Sequence, residues 1–510
     1  MIGVLLFAFF LSLRLVGSAL LVAGTTVLLT LGAMGFLDVP LSITTFILPT
    51  VLVALAASHS VHVYSSMIAR GGALEREVVR AVGLSGATTA IGFSAMALTR
   101  LDVIDEVGLF GAIGSLIGMV CALTLVPATS PVVPRRRSRL GDYVGKVLVP
   151  SVVRLATARP AVTLGVWLAA AAVAFTGLAR LEVETDVVQY FKPSSAIRSD
   201  YELIRSRLAG ISPMSVVVAN SQDGVATPKG VEFVGDLQRA LERHPDVGSV
   251  VSFVDPLIQI RSAINGSESV GDQFSSYEIE QYMLLLSGVD FVSDLISADG
   301  RSAQIMIRSN NNGSDDLLLL AEYISDWARE RAPDGYNVQV TGIMHEYASS
   351  EDAISDGQLI GMVVASLVIL VALAFAFRDV GLAILAMIPN LVPVVFGFGA
   401  MGLIGVPLDA GTILVGTLAL GIAVDDTVHM IFAHTDRPGD ESLDDAIGRV
   451  GIAVVCTTAL IVAGFSLLAT SDFVLIRNLG MVTSSVMLAC LFADATLLPA
   501  LLTYRARGAS

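Results

Sequence analysis

The sequence predicts a polytopic α-helical membrane protein with two five-helix repeats in parallel orientation, plus one α+β domain of split βαβ type on the extracytoplasmic side. Three observations carry this. The 510 residues are 54% hydrophobic and only 15% charged, with a mean hydropathy of +0.74; soluble chains run roughly 45–50% apolar and about 25% charged. The formal charge of −15 sits in one stretch, since residues 181–355 hold 27 Asp/Glu and 12 Lys/Arg while the remainder is neutral. An ordered series of short matches also recurs late in the chain. Composition excludes a single soluble domain, disorder and a disulfide scaffold. The three cysteines, Cys121, Cys456 and Cys490, lie in apolar segments and read as small core residues.

A span needs about 20 mostly apolar residues. Ten segments qualify: 15–36, 43–67, 81–98, 107–128, 161–178, 359–377, 380–404, 411–433, 447–470 and 479–502. Residues 1–13 are apolar but short, and Arg14 follows them. A signal peptide would carry its charge before the apolar run, so this segment reads as the second half of a span whose beginning is absent. Basic residues in short loops mark the cytoplasmic side. Arg135, Arg136, Arg137, Arg139, Lys146, Arg154 and Arg159 stand against Asp142 alone, so that loop is assigned to the cytoplasm. Arg14, Arg70, Arg76, Arg80, Arg378, Arg505 and Arg507 then fall on the same side, and the acidic insert falls outside. The stretch 143–155 reads equally as an interfacial amphipathic helix or a plain linker. Only Lys146, Lys192 and Lys229 are lysines among 31 basic residues, a bias read as a GC-rich bacterial genome.

The repeat orders these spans. Gly32-Ala33-Met34-Gly35 with Val39-Pro40-Leu41 returns as Gly399-Ala400-Met401-Gly402 with Val406-Pro407-Leu408. The same offset sets Ser58-His59-Ser60-Val61-His62 on Asp425-Asp426-Thr427-Val428-His429. Gly92-Phe93-Ser94 returns as Gly464-Phe465-Ser466, Gly108 as Gly480 and Pro127 as Pro499. Parallel halves imply a pseudo-two-fold axis along the membrane normal. The expected domains are a first transmembrane repeat at 1–130 with its first span truncated, and a basic cytoplasmic linker at 131–160. A span at 161–180, the extracytoplasmic domain at 181–355 and the second repeat at 356–510 follow. By symmetry, one span and one extracytoplasmic domain are expected to precede the first half.

The insert reads as α+β. Strands are expected at 215–220, 247–253 and 337–342, and helices at 228–243, 277–286 and 315–331. A hairpin is expected over 295–309 about Asp299-Gly300. With the middle insertion set aside, the order β-α-β-β-α-β is the ferredoxin-like split βαβ pattern.

Ionisable groups inside spans cost a few kcal/mol each and usually mark a pathway. Asp425 and Asp426 are adjacent in an otherwise apolar span. Two such carboxylates in low dielectric cannot both ionise cheaply, so they are expected to titrate as a coupled pair, as a proton carrier requires. The bland alternative is a capped crevice or a static interhelical bond. His429 lies one turn on and can share their face. His59 is placed to meet the aspartates from the other half, as relay or as a neutral hydrogen-bonded ring. His62 is assigned to interfacial packing. Asp494 stands as a second acid, at a site or at a helix end. Thr457 and Thr458 are expected chiefly to bond their own helix backbone, and Asn390 to satisfy carbonyls at a proline kink between Pro389 and Pro393. No G-x-x-x-x-G-K-[ST] occurs, nor a Ser-His-Asp elbow, a zincin motif or a basic aromatic surface. Neither an enzyme nor a nucleic-acid binder is expected, and no cofactor or metal ligand is assigned.

Three passages resemble the RND (resistance–nodulation–division) superfamily, in its MMPL-like and hopanoid-exporter-like branch. They are Ile388-Pro389-Asn390-Leu391-Val392-Pro393 through Asp425-Asp426-Thr427-Val428-His429; Asp494-Ala495-Thr496-Leu497-Leu498-Pro499; and Val183-Glu184-Thr185-Asp186, Tyr190-Phe191 and Asp200-Tyr201. The resemblance implies a permease of the bacterial inner membrane that exports lipids or other hydrophobic molecules on the proton-motive force. It makes the insert a porter-like domain and carries a proton-relay role to Asp425 and Asp426, with His59, His429 and Asp494 as further relay candidates. Expected partners are the hydrophobic substrate, protons, membrane lipids, and a homo-oligomer (dimer or trimer) or a periplasmic accessory protein. Ser58-His59 stands where this branch often has an acid, so the relay is expected to be asymmetric. The competing readings are a non-transporting lipid-sensing or assembly protein of the same fold, and an inactive fragment.

Overall fold

The computed structural model describes residues 1–42, 44–69, 74, 76–99, 102–130, 138–181, 183, 186–207, 211–265, 273–409, 411–436 and 441–508. The chain divides into two units, Met1–Val183 with Ile354–Ser510, and Glu184–Ala353. Of the basic loop, Arg135, Arg136 and Arg137 lie outside the described residues, as do Arg70, Glu184 and Thr185.

The first unit opens with α1 (Ile2–Phe10) and α2 (Leu13–Phe36). The apolar opening 1–13 thus holds a separate short helix, Ile2–Phe10, followed by the start of α2. Leu11, in the left-handed region at φ 48°, ends it, and Ser12 caps α2 by accepting from the Leu15 N–H. There follow α3 (Leu48–Ala69), α4 (Arg76–Ser94) and α5 (Asp102–Thr129). The stretch read as helix or linker is helical: α6 (Arg139–Tyr143) and a π-turn lead into α7 (Val149–Ala158), which buries Val149, Val153 and Ala156. α8 (Pro160–Leu178) closes this half.

In the second unit, α9 (Ala196–Arg207) precedes β1 (Ser212–Asn220), α10 (Pro228–Glu242) and β2 (Val247–Val251). Next come α11 (Val254–Asn265), α12 (Ser276–Leu286), the four-residue α13 (Asp290–Ser293), β3 (Ser302–Ser309), α14 (Ser314–Arg331) and β4 (Tyr336–Thr341). The sheet runs β2-β3-β1-β4, every neighbouring pair antiparallel. β1 and β3 bury Met214, Val216 and Val218 with Ala303, Ile305 and Ile307 against Val234, Leu237 and Leu241 of α10 and Leu317, Leu320 and Ile324 of α14. That alternation is the period-2 pattern of a half-covered sheet. The expected hairpin forms with a short first arm, in which Ser297 N donates to Ser302 O at 2.9 Å and Gln304 N to Leu295 O at 2.8 Å. Gly300 turns at φ 63°, and the first arm is a single Ile296–Ala303 bridge, because α13 leaves only three residues before the turn. α11, a helix no pattern had suggested, follows directly on β2. In the Asp186–Tyr201 passage, Asp186 accepts from the Val188 N–H at 3.0 Å, and Asn312 links the Tyr201 and Ser212 hydroxyls.

The chain then returns to the first unit through α15 (Ile343–Phe377), α16 (Val380–Ile404), α17 (Val415–Thr435), α18 (Leu443–Leu468) and α19 (Val474–Gly508). Among the described residues, ten helices are long and apolar enough to cross a membrane. Their packing follows one scheme in both groups: α2 touches α3 and α5, and α5 touches α3 and α4; α16 touches α17 and α19, and α19 touches α17 and α18. Between the groups, α4 packs on α17 and α18 on α3.

Backbone irregularities recur at a constant spacing of 367 residues. Leu11 and Arg378 have φ of 48° and 54°, and Asp38 and Gly405 have φ of 56° and 71°. Ser12 and Asp379 each cap a helix, accepting from the N–H of Leu15 and Leu382. Ser42 accepts from Thr45 N, and Asp409 from Thr412 N. Left-handed residues and side-chain caps are set by local chain direction, so their spacing marks the same chain path twice.

Glycine brings helices together at two places that matter. A Cβ on Gly177 of α8, or on Gly399 or Gly402 of α16, would overlap a backbone atom of the facing helix. A Cβ on Gly92 of α4 would lie 2.6 Å from Gly421 Cα of α17. Thr89 there donates to Gly421 O at 2.8 Å. Small residues let membrane helices approach to backbone contact.

Candidate functional site

α17 is the centre of the first unit. Nine-tenths of its apolar window (94%) is buried, against 11% for α8. A helix apolar nearly all round belongs in a core, and this one carries Asp425, Asp426 and His429 within it. Successive residues point about 100° apart on a helix. Asp425, Asp426 and Thr427 therefore face three different sets of neighbours.

Asp425 faces α3 and α4. Ser58 donates to Oδ2 at 2.9 Å, and Ser85 donates to Oδ1. Asp426 faces α18, where the hydroxyls of Thr457 and Thr458 each lie 2.9 Å from one of its oxygens. Both hydroxyls are also within 2.8 and 3.0 Å of the Val454 carbonyl. The expected bonds to their own helix backbone are present, and the structure adds Asp426 as a second acceptor, so each threonine has two acceptors for a single proton. Thr427 faces α16 and α19. It donates to Asp494 Oδ1 at 2.6 Å and lies 3.1–3.2 Å from the Asn390 amide. Asn390 also donates to Ala386 O at 2.7 Å, one turn back on its own helix, and not to the carbonyls of Leu385 and Pro389 that the two prolines leave without a helical N–H. Asp494 lies within α19, not at a helix end, and its Oδ2 has no hydrogen-bond partner.

The histidines are where the geometry departs from the sequence reading. His62, assigned to interfacial packing, stands in the cluster: its Nε2 is 3.6 Å from Asp426 Oδ1 and 4.0 Å from Asp425 Oδ2. His429 Nε2 is 3.5 Å from Asp425 Oδ1. The two rings stack with centroids 3.7 Å apart and planes 5° apart. His59, offered as the partner of the aspartates, instead turns Nδ1 to Leu55 O at 2.8 Å and pairs with neither carboxylate within 4 Å. The reason is helical phase: His62 is one turn from Ser58, so it shares the face that meets Asp425, while His59 is rotated by about 100°. The repeat held the missed signal. Ser58 and Asp425 are 367 apart, and so are His62 and His429; both pairs are in contact.

Among the described residues, the ion-pair partners of Asp425 and Asp426 are these two imidazoles. The Nε2 atoms of His59, His62 and His429 are buried without hydrogen-bond partners. One donor atom each from His62, Asp425 and His429 lies within 4.8 Å of the others. The arrangement can hold, share and pass a proton, and it can offer nitrogen and oxygen lone pairs to a cation.

Residues 72–163 and 192–509 match the MMPL family, which is most of the chain. The chain belongs to the MMPL family. It is similar to MJ1562 of Methanocaldococcus jannaschii, 26% identical over 330 residues, covering 61% of this chain and 81% of that one. It is also similar to ActII-3 of Streptomyces coelicolor, 28% identical over 220 residues, or 40% of this chain and 31% of the relative. Both relatives are named as membrane proteins. This MMPL chain is thus a multi-pass membrane protein of transporter-like kind, and its buried acids and histidines lie inside the matched region.

Proposed function

We propose that this MMPL protein is a secondary exporter of lipids or other hydrophobic molecules, driven by the proton-motive force across a bacterial inner membrane. The observation that carries the reading is the adjacent pair Asp425 and Asp426, buried at the centre of α17, bonded to hydroxyls and faced by imidazoles. A carboxylate accepts at both oxygens, whereas a carboxylic acid also donates. Protonating Asp426 adds an O–H that needs an acceptor, and Thr457 or Thr458 can serve as one by turning its own proton to the Val454 carbonyl. Proton arrival thereby changes the bonds between α17 and α18.

In this reading, the helices α2–α5 and α16–α19 are two parallel halves about a pseudo-two-fold axis. The recurring backbone features at 367 residues support it, as does the meeting of Ser58 with Asp425 and His62 with His429. The acidic Glu184–Ala353 unit is the extracytoplasmic, porter-like domain, supported by the basic bias of the opposite loops. Transport, and not catalysis, is the activity.

The test is export of a hydrophobic fluorescent probe from proteoliposomes carrying an imposed proton gradient. D425N and D426N proteins that insert and stay monodisperse should each lose export roughly 100-fold or more, the scale of removing a proton-transfer group. Normal export by the double variant would sink the relay.

A further inference from the structure

We infer that His62, His429 and Asp425 form a binding site for one divalent transition-metal ion of the zinc class, with Asp426 beside it. The site shares its residues with the proposed proton relay, but ion binding does not depend on that reading.

Three observations support it. The first is donor chemistry. Two buried imidazoles present Nε2 atoms that have no hydrogen-bond partner, on the side of the stack that faces the carboxylates. A buried nitrogen without a partner is costly, and coordination would satisfy both at once. Mixed imidazole and carboxylate ligands suit zinc-class ions and not magnesium or calcium, which take oxygen.

The second is distance. His429 Nε2 to Asp425 Oδ1 is 3.5 Å, His62 Nε2 to Asp426 Oδ1 is 3.6 Å and His62 Nε2 to Asp425 Oδ2 is 4.0 Å. Ligands about 2.0–2.1 Å from a tetrahedral zinc are about 3.3 Å from one another. His429 and Asp425 thus stand close to a closed shell, while the trio as a whole, within 4.8 Å, has to draw in by up to about 1.5 Å to close on an ion. Side-chain rotation that opens the parallel stack converges the two nitrogens on one ion.

The third is charge. Two ionised carboxylates at the core of a helix bundle are costly unless compensated, and no Lys or Arg among the described residues pairs with them within 4 Å. A single dication balances both, and a bound ion is then the largest local charge in the site. His59 and Ser58 complete the surroundings from α3, Ser85 from α4, and Thr457 and Thr458 from α18; none of these adds a fixed charge.

Ion and proton would compete for the same lone pairs, so zinc should inhibit export if the relay reading holds. Binding is tested separately, by titrating the detergent-purified full chain with Co2+ and following the visible absorption that a tetrahedral nitrogen- and oxygen-ligated ion acquires. Isothermal titration with Zn2+ gives the stoichiometry. One site per chain is expected. H62Q, H429Q and D425N should each weaken it by more than the roughly 10–100-fold that outer-shell changes cost. H59Q and H244Q should leave it intact. A monodisperse H62Q/H429Q protein that binds Zn2+ as the wild type does overturns the proposal, and so does a wild type that takes up no stoichiometric ion. A D426N protein that loses export yet still binds Co2+ separates relay from ion site. Unchanged export with intact Co2+ binding would count against the relay alone.

Discussion

At the scale of single residues, the site depends on helical phase. Four residues separate Ser58 from His62 and Asp425 from His429, so each pair shares a face, and the two faces meet. Asp425 and Asp426 share His62 but differ in their other neighbours: serines from α3 and α4 with His429 for the first, threonines of α18 for the second. Removing the threonine donors without touching a carboxylate should therefore affect Asp426 selectively. A T457V/T458V protein is expected to lose export by roughly 10-fold or more while keeping the Co2+ site, since a hydrogen bond to a charged group is worth about 1.5–3 kcal/mol. Wild-type export in that variant would show that these hydroxyls do not shape the proton step. Asp425, Asp426 and His429 were legible from the sequence because charge in an apolar span is rare. His62 was not, because the phase between two helices from opposite ends of the chain is a tertiary fact. The internal repeat had already aligned it with His429.

At the scale of elements, caps and glycines set the frame. Asp379 begins α16, accepting from the Leu382 N–H at 3.0 Å and from Arg505 at 2.6 Å. The Leu382 N–H, then Arg505, hold its carboxyl below the usual range. The pair is about two-fifths exposed, so the cap and not the ion pair carries the effect. D379A should cost about 1 kcal/mol, read as a lower Tm of the detergent-purified protein. A depressed carboxyl contributes fully above its unfolded pKa of about 3.9, and that contribution is lost as pH falls through the lower folded value. The gap in Tm between wild type and D379A should therefore be full at pH 6 and narrow as pH falls below about 4; a gap that widens in acid contradicts the assignment. Asp409 differs, since burial pushes its carboxyl up while Gly411, Thr412 and Asn478 donate to it. Where α4 crosses α17, G92A has to displace Gly421, and overpacking of this kind costs about 1–3 kcal/mol. Thermal unfolding of G92A beside G24A, where a Cβ meets nothing within 4 Å, isolates that crossing from a general glycine effect. The helices of both units were largely legible from periodicity and length. The single-bridge hairpin arm and α11 were not, because each depends on where the preceding element stops.

At the scale of the whole molecule, the charge of −15 belongs to the inserted stretch, and the units follow that division closely: Glu184–Ala353 has its own sheet and its own core of residues such as Val216, Phe253, Ile305 and Ile324. A unit with a closed core can fold alone. The excised Glu184–Ala353 polypeptide should be soluble and unfold cooperatively in urea, followed by circular dichroism; a non-cooperative transition would argue that its core is incomplete. Family membership and the multi-pass architecture follow from the match across most of the chain.

The contact between α8 and α16 bears on movement. Gly177, Gly399 and Gly402 bring the two helices together backbone to backbone, while most of α8 faces outward. Side chains that interlock resist sliding, since each knob must leave its hole. Here the glycines themselves are the holes: each is met by facing backbone, and Leu403 packs on Gly177. An axial shift of α8 along α16 would carry a residue with a Cβ into a gap that has no room for one, and pulling the helices apart forfeits their dispersion contact. The joint works as a keyway: with the Trp167 indole donating to Thr496 of α19 at 3.0 Å, it sets the height of α8 against the bundle, so that movement of α8 has to carry α16 with it.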